Sequence, residues 1–165
     1  MNADSDVQIK NEASPNRHPL VPMKVKTLPH FRGDLPKYES AGASGLDVRA
    51  QLSESFVLQP GERALVPTGL SVAVPMGFEL QARPRSGWAV KEGMSLVNTP
   101  GTIDADYRGE VKIPLINLGQ MPVAVKDQER IAQLVLCPVV QAGLELVEDL
   151  DATLRGAGGF GSTGR

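Results

Sequence analysis

From Lys24 onward the apolar residues come in short runs, many alternating with polar ones: KVKTL, GLDVRA, FVL, RALVPTGL, SVAV, FELQAR, SLVN, EVKIPLIN, PVAV, RIAQLVLCPVV and LELV. Runs of this length suit strands rather than helices. Turn-forming residues separate them at close spacing, at Pro60-Gly61, Pro67-Thr-Gly69, Pro75-Met-Gly77, Asn117-Leu-Gly119 and Gly143. The rhythm predicts an all-β sandwich, barrel or jelly roll. One segment departs from it. Ser86 to Glu92 (SGWAVKE) predicts a short helix, with Ser86 as its cap and Gly93 at its close.

Between two of these strands lies the most informative loop of the chain, Asn98-Thr-Pro-Gly-Thr-Ile-Asp-Ala-Asp-Tyr-Arg-Gly109. Met94 to Val97 before it and Glu110 to Leu118 after it read as strands, which predicts a hairpin around residues 98 to 109. An amide, two carboxylates and a phenol gathered there outline a pocket for a small polar ligand. Period-two alternation places Asp104 and Asp106 on one side, where either can serve as general base toward water; turn-forming acids are the plainer alternative.

Composition narrows the chemistry by exclusion. The 165 residues, 41% of them apolar, fit one domain with tails. The formal net charge of -2 gives no basic field for a nucleic-acid polymer. Cys137 is the only cysteine, which excludes an internal disulfide and a cysteine metal cluster; its apolar run predicts a core position. The histidines are His18 and His30, both outside the polar clusters, so a Ser-His-Asp triad or a histidine metal site is not expected. Carboxylates, water and a hard cation remain.

No apolar run reaches the ~20 residues that span a bilayer, and the start lacks a secretory layout, so a cytoplasmic protein is expected. Residues 1–22 mix charge, Asn, Ser and Pro without periodicity and predict a disordered leader, with the β domain over residues 23–150. Residues 151–165 form a glycine-rich arm, whose stretch Arg155 to Arg165 is mobile alone but able to wrap a phosphorylated aromatic ligand with its two Arg, two hydroxyls and one ring. Gly156, Gly158 and Gly161 match the dinucleotide fingerprint only literally. The chain ends four residues later without a βαβ unit.

Three further clusters supply phosphate or metal chemistry, each with a plainer alternative. Pro84-Arg-Ser-Gly87 sets a guanidinium and a hydroxyl at the mouth of the helix, where anions are favoured; an ordinary cap with a surface arginine reads the same. Asp47 stands inside the strand-like GLDVRA, a poor place for a carboxylate without a partner. That partner is either a hydrated Mg²⁺, or an arginine such as Arg49 or another strand residue. Gln133, polar within RIAQLVL, either satisfies a backbone group or donates to a phosphate. Together these clusters indicate metal-assisted hydrolysis of a phosphorylated small molecule.

In order, SGLDVRA, PRSG, NTPGTIDADYRGE, ERIAQLVL and RGAGGFGSTGR resemble the five motifs of the trimeric dUTPase family, from about Met23 to Arg165. The resemblance implies a jelly-roll-like β subunit in a homotrimer, with active sites at subunit interfaces and a C-terminal arm reaching a neighbour. It implies hydrolysis of dUTP to dUMP and pyrophosphate with Mg²⁺. By this likeness Asn98 and Gly101 read uracil, Tyr107 lies against the deoxyribose, and Asp104 contacts the 3′-hydroxyl and orients the attacking water. Arg85, Ser86, Gly87 and Gln133 cradle phosphates, and Asp47 holds Mg²⁺ through water. Phe160 stacks on the base, Arg155 neutralises the γ-phosphate, and Ser162 and Thr163 donate to phosphate oxygens. Trp88 is larger than expected after PRSG, which implies altered packing against a neighbouring subunit, and Pro100 removes a donor from the recognition hairpin. A dCTP deaminase-like enzyme and a non-catalytic nucleotide sensor are the competing expectations on the same fold.

Overall fold

A computed structural model of the chain describes residues 19–159, so most of the expected leader lies outside the described residues. Ten strands and one helix follow Pro19–Pro22, which has no regular structure. They are β1 (Lys24–Thr27), β2 (Leu46–Arg49), β3 (Phe56–Leu58), β4 (Arg63–Ala73), β5 (Phe78–Arg83), α1 (Ser86–Glu92), β6 (Met94–Leu96), β7 (Gly101–Ile103), β8 (Glu110–Asn117), β9 (Val123–Val125) and β10 (Arg130–Pro138). Two four-stranded antiparallel sheets, ordered β1-β4-β8-β6 and β2-β10-β5-β7, are accompanied by the β3-β9 pair. This is the all-β class that the runs predict, in the jelly-roll-like form that the resemblance implies. Among the described residues no helix is long and apolar enough to cross a membrane.

Alternation explains how each strand serves two surfaces. In β8, Val111, Ile113 and Leu115 are buried while Lys112 between them is exposed. Val48, Leu80, Ala82 and Leu134 do the same for the second sheet, and these inward rows form one core with Val66, Leu70 and Met94. The opposite face of the second sheet is polar, and it carries the chemistry described below.

Four sequence expectations need correction here. Pro67-Thr-Gly69 is a bulge inside β4 and not a turn between two strands: pairing with β8 jumps from Pro67↔Lys112 to Ser71↔Glu110. The side chains of the bulge and its neighbour hold it, because the Thr68 hydroxyl donates to the Val111 carbonyl at 2.5 Å and the Gly69 N–H donates to Glu110 Oε1 at 2.8 Å. Gly69 sits at φ 68°, where a side chain is strained, and a Cβ there would meet Phe31 at 3.0 Å. The LELV run forms no strand; residues 139–154 carry no regular structure and are exposed.

The helix has the expected bounds, yet its N-cap is Arg85 in extended geometry, without a side-chain cap from Ser86. Gly93 closes it in the left-handed region, as expected, returning its N–H to the Ala89 carbonyl. Trp88 turns inward at 9% exposure and donates Nε1 to Glu92 Oε2 at 3.2 Å. Cys137 is only partly buried, 3.6 Å from Arg83 Nη2 on the polar face of the second sheet.

Candidate active site

The polar face of the second sheet is built by register. Gln133 on β10 stands opposite Asp47 on β2 and Arg83 on β5, so the three side chains share one row. Gln133 lies against Gly45, its Cβ 3.3 Å from where a Gly45 side chain would begin. The Gln133 amide makes no hydrogen bond to protein among the described residues, which leaves its donors available. Arg83 is occupied with Gln81 Oε1, through Nε at 3.0 Å and Nη2 at 2.6 Å.

Asp47 is the centre of this face. Its side chain is 9% exposed, and its two oxygens accept from two guanidiniums: Oδ1 from Arg85 Nε at 3.3 Å and Oδ2 from Arg130 Nη1 at 3.1 Å. Arg85 Nη1 also donates to the Arg130 carbonyl at 3.4 Å. Arg49, the partner suggested by proximity in sequence, instead donates to the Gln128 carbonyl at 2.7 Å. Two cations around one carboxylate leave one positive charge in excess, which favours an anionic ligand. A cleft of about 270 Å³ beside this triad is lined by Asp47, Arg130, Asp34, Lys37 and Gln128.

Sequence reasoning missed Arg130 as a site residue. In a regular strand it would face away from Gln133, three positions on. Pairing between β10 and β2 shifts between Arg130 and Ala132, placing Arg130 opposite Arg49 and so on the Asp47 side.

The polar loop forms a second group. Its flanking strands do pair, β6 on β8 with Met94↔Asn117 and Leu96↔Leu115, so the expected return of the chain is present. The loop between them is more than a hairpin tip: Gly101–Ile103 crosses to the other sheet and pairs with β5, Gly101 opposite Ala82. Asn98 rests on Gly101, with Nδ2 3.3 Å from where a Cβ would be. The Thr99–Pro100 peptide bond is cis.

Asp104 and Asp106 lie beyond β7, in a turn closed by the Tyr107 N–H donating to the Asp104 carbonyl at 3.2 Å. The alternation argument for placing them on one side therefore does not hold. Both are exposed, as expected of a turn. The Tyr107 hydroxyl donates to the Glu110 carbonyl at 2.9 Å, bringing its ring back toward β8.

Glu110 anchors the far end of this loop. Oε1 accepts from the Gly69 N–H and meets His30 Nε2, both at 2.8 Å, while Lys112 Nζ lies 3.7 Å from Oε2. Burial pushes its carboxyl up, but the Gly69 N–H and the His30 contact outweigh that and hold it below the ordinary glutamate range.

The two groups are not joined within one chain. Neither the cleft beside Asp47 nor a larger apolar one near Met23 is lined by Asn98, Asp104 or Tyr107. Ser86 and Gly87 stand exposed at the start of α1. Arg155 donates Nε to the Gly158 carbonyl at 2.7 Å, within its own arm. Phe160, Ser162 and Thr163 lie outside the described residues.

No group of three or more His, Cys, Asp or Glu side chains able to hold a metal occurs among the described residues. Asp47 is suited instead to an ion arriving with phosphates, since each carboxylate oxygen retains capacity beyond its guanidinium bond and Mg²⁺ keeps much of its water shell.

Comparison with known proteins agrees with the motif order. The dUTPase family model matches residues 32–164. The deoxyuridine 5′-triphosphate nucleotidohydrolase of Bdellovibrio bacteriovorus is 67% identical over 143 residues, 87% of this chain and 96% of the relative. That of an Anaeromyxobacter species is 61% identical over 132 residues, 80% of this chain and 88% of the relative. Among solved structures, the Staphylococcus bacteriophage 80alpha dUTPase with dUPNHPP superposes with a TM-score of 0.77 at 27% identity, covering 87% of this chain and 99% of that one. With a family match over most of its length and relatives of this identity, the chain belongs to the dUTPase family.

Proposed function

We infer that the protein hydrolyses dUTP to dUMP and pyrophosphate, which keeps uracil out of DNA and supplies dUMP for dTMP synthesis. The observation that carries this reading is the family match over residues 32–164, a span containing every motif segment from Asp47 to Thr163. The relatives bearing that activity in their names span nearly their whole length on this chain.

Asn98, resting on Gly101, reads the uracil edge together with backbone groups of the turn. Tyr107 screens the sugar, and Asp104 contacts the 3′-hydroxyl and takes a proton from the attacking water. That water attacks the α-phosphorus in line, and the bond to the bridging oxygen breaks as pyrophosphate leaves. Arg85, Ser86, Gly87 and Gln133 hold the phosphates. Arg85 commits only Nε and Nη1 to Asp47 and the Arg130 carbonyl, and its remaining donors suit phosphate oxygens. Asp47 would hold Mg²⁺ through water, together with the substrate's phosphates; the ion would offset charge there. In the arm, Arg155 neutralises the γ-phosphate, Phe160 stacks on the base, and Ser162 and Thr163 donate to phosphates, excluding water from the charged centre.

The subunits act as a homotrimer. Two features support this: the separation of the two groups within one chain, and the apolar residues of the exposed segment 139–154 that leads into the arm, where Leu144 and Leu146 are 96% and 101% exposed. Such side chains, together with Val140, Leu150 and Leu154, need a covering surface. An apolar cleft of about 950 Å³ lined by Leu20, Val25, Tyr38, Phe78 and Val135 offers one on a neighbouring copy. A cytoplasmic setting suits the free Cys137.

Pyrophosphate release measured with dUTP, dTTP, dCTP and UTP tests the reading. Release from dUTP with little from the other three is expected. Ammonia from dCTP would turn the assignment toward a deaminase, and tight dUTP binding without release would turn it toward a sensor.

A further inference from the structure

We infer that Gly109 is a specificity-determining residue: its lack of a side chain is what allows Tyr107 to fold back into the pose from which the ring screens the sugar. The inference rests on the reading of Tyr107 given above and adds the residue that sets the ring's position.

The Tyr107 ring lies directly over the Gly109 backbone. A Cβ built on Gly109 would come within 2.6 Å of Tyr107 Cζ and 3.0 Å of Cε2, and nearer still to the hydroxyl oxygen. Ordinary carbon contacts lie at about 3.5–4 Å, so ring and methyl cannot share the space. The conformation of Gly109 itself does not require glycine, since it is absent from the residues with positive φ. The contact with Tyr107 is therefore the reason alanine would not fit.

What yields on adding a methyl is the ring and not the loop. The Tyr107 N–H is held by the Asp104 carbonyl at 3.2 Å. Its carbonyl accepts from Arg108 Nη1 at 2.8 Å, and the same nitrogen ties the Ala105 carbonyl at 2.8 Å. With the backbone fixed at both ends, relief comes through the two side-chain torsions, which break the hydroxyl bond to the Glu110 carbonyl and swing the ring out. Tyr107 is 44% exposed, so the ring swings toward solvent.

The experiment measures the ratio of kcat/KM for dUTP to that for UTP in the full chain and in Gly109→Ala, Tyr107→Ala and the double variant. Gly109→Ala is expected to lower the ratio about tenfold or more while hydrolysis of dUTP persists. In the Tyr107→Ala background the same change should have no further effect, because the ring through which Gly109 acts is gone. An unchanged ratio in Gly109→Ala, with the ratio lost in Tyr107→Ala, overturns the role of Gly109 and leaves Tyr107 as the sugar screen. Equal losses in both backgrounds overturn it as well. If Tyr107→Ala keeps the full ratio, the reading of Tyr107 fails and the inference with it. Should Gly109→Ala not fold, recovery of folding in the double variant supports the collision, and failure of both overturns it.

Discussion

Arg130 reaches across from β10 to Asp47 on β2, its Nη1 3.1 Å from Oδ2, and it does so only because the strand pairing slips by one residue beside it. The carboxylate is nearly buried, so its charge needs both of the guanidiniums that flank it. Arg130 thereby belongs with Asp47 and Arg85 as one unit, Arg85 being joined to it a second time through the Arg130 carbonyl. Gln133, directly opposite Asp47, lies in the same row.

Replacing Arg130 with Met keeps the length of the side chain and removes its charge. Asp47 then retains Arg85 alone, and, on the proposed reading of Asp47 as the Mg²⁺-holding carboxylate, its orientation toward the ion loosens. Because Arg130 acts through Asp47, kcat/KM for dUTP should fall about ten- to hundredfold, with a parallel loss in the apparent affinity for Mg²⁺. Arg130→Lys should restore only part of it, since one ammonium cannot reproduce a guanidinium fork. An unchanged Mg²⁺ titration in Arg130→Met would show that the pair is structural.

The clamp at Glu110 makes stability sensitive to acid. Its carboxyl is held below the ordinary range, so the native state binds the charged form more tightly than the unfolded chain does. That contribution is complete above the unfolded value, near pH 4.3, and is lost as pH falls through the lower folded value. Glu110→Gln should therefore cost about 1.5–3 kcal/mol at pH 7, and the gap to the parent protein should close on going from about pH 5 to pH 3. Thermal melting across that range checks it; a constant gap would mean that charge plays no part in the clamp.

Asn117 predicts a larger and pH-independent effect. It is fully buried, donates Nδ2 to the carbonyls of Leu58 at 2.9 Å and Met121 at 2.8 Å, and accepts from the Gly119 N–H at 2.9 Å. One side chain thus satisfies three backbone groups where β3, β8 and the following turn meet. Asn117→Ala leaves those groups unpaired inside the protein, at a cost of about 2–4 kcal/mol. Denaturant unfolding should show that loss at pH 5 and pH 7 alike. A change below 1 kcal/mol would require water to take over the bonds.

Much of this was legible in the chain because alternation is a local property. EVKIPLIN and FELQAR each declare a buried and an exposed face, and Gly93 marks the end of its helix by the conformation that only glycine takes readily. What escaped depended on contacts remote in sequence. Pro67-Thr-Gly69 looks like a turn until Glu110, some forty positions away, supplies the acceptor that makes it a bulge. Asp47 seemed to have Arg49 at hand, yet that residue is held by the Gln128 carbonyl. LELV has strand composition but joins no sheet among the described residues, since composition alone does not make a ladder. The candidate site was legible as residue types, while the pairing of Arg130 with Asp47 was not, since a bulge reverses the face that simple alternation assigns.

Asp104 offers the sharpest separation of binding from chemistry. Its carbonyl closes the turn to Tyr107, and its exposed carboxylate makes no hydrogen bond to protein among the described residues, so the side chain contributes little to the fold. Asp104→Asn keeps size and shape but cannot take a proton from water. Turnover of dUTP should drop by about 10²–10⁴, the usual contribution of a general base, while melting temperature and binding of a non-hydrolysable dUTP analogue stay close to those of the parent. Asp106→Asn, on the same turn, should leave turnover within a few-fold. If instead Asp106→Asn abolishes turnover and Asp104→Asn does not, the base is Asp106, and the roles given to the two carboxylates must be exchanged.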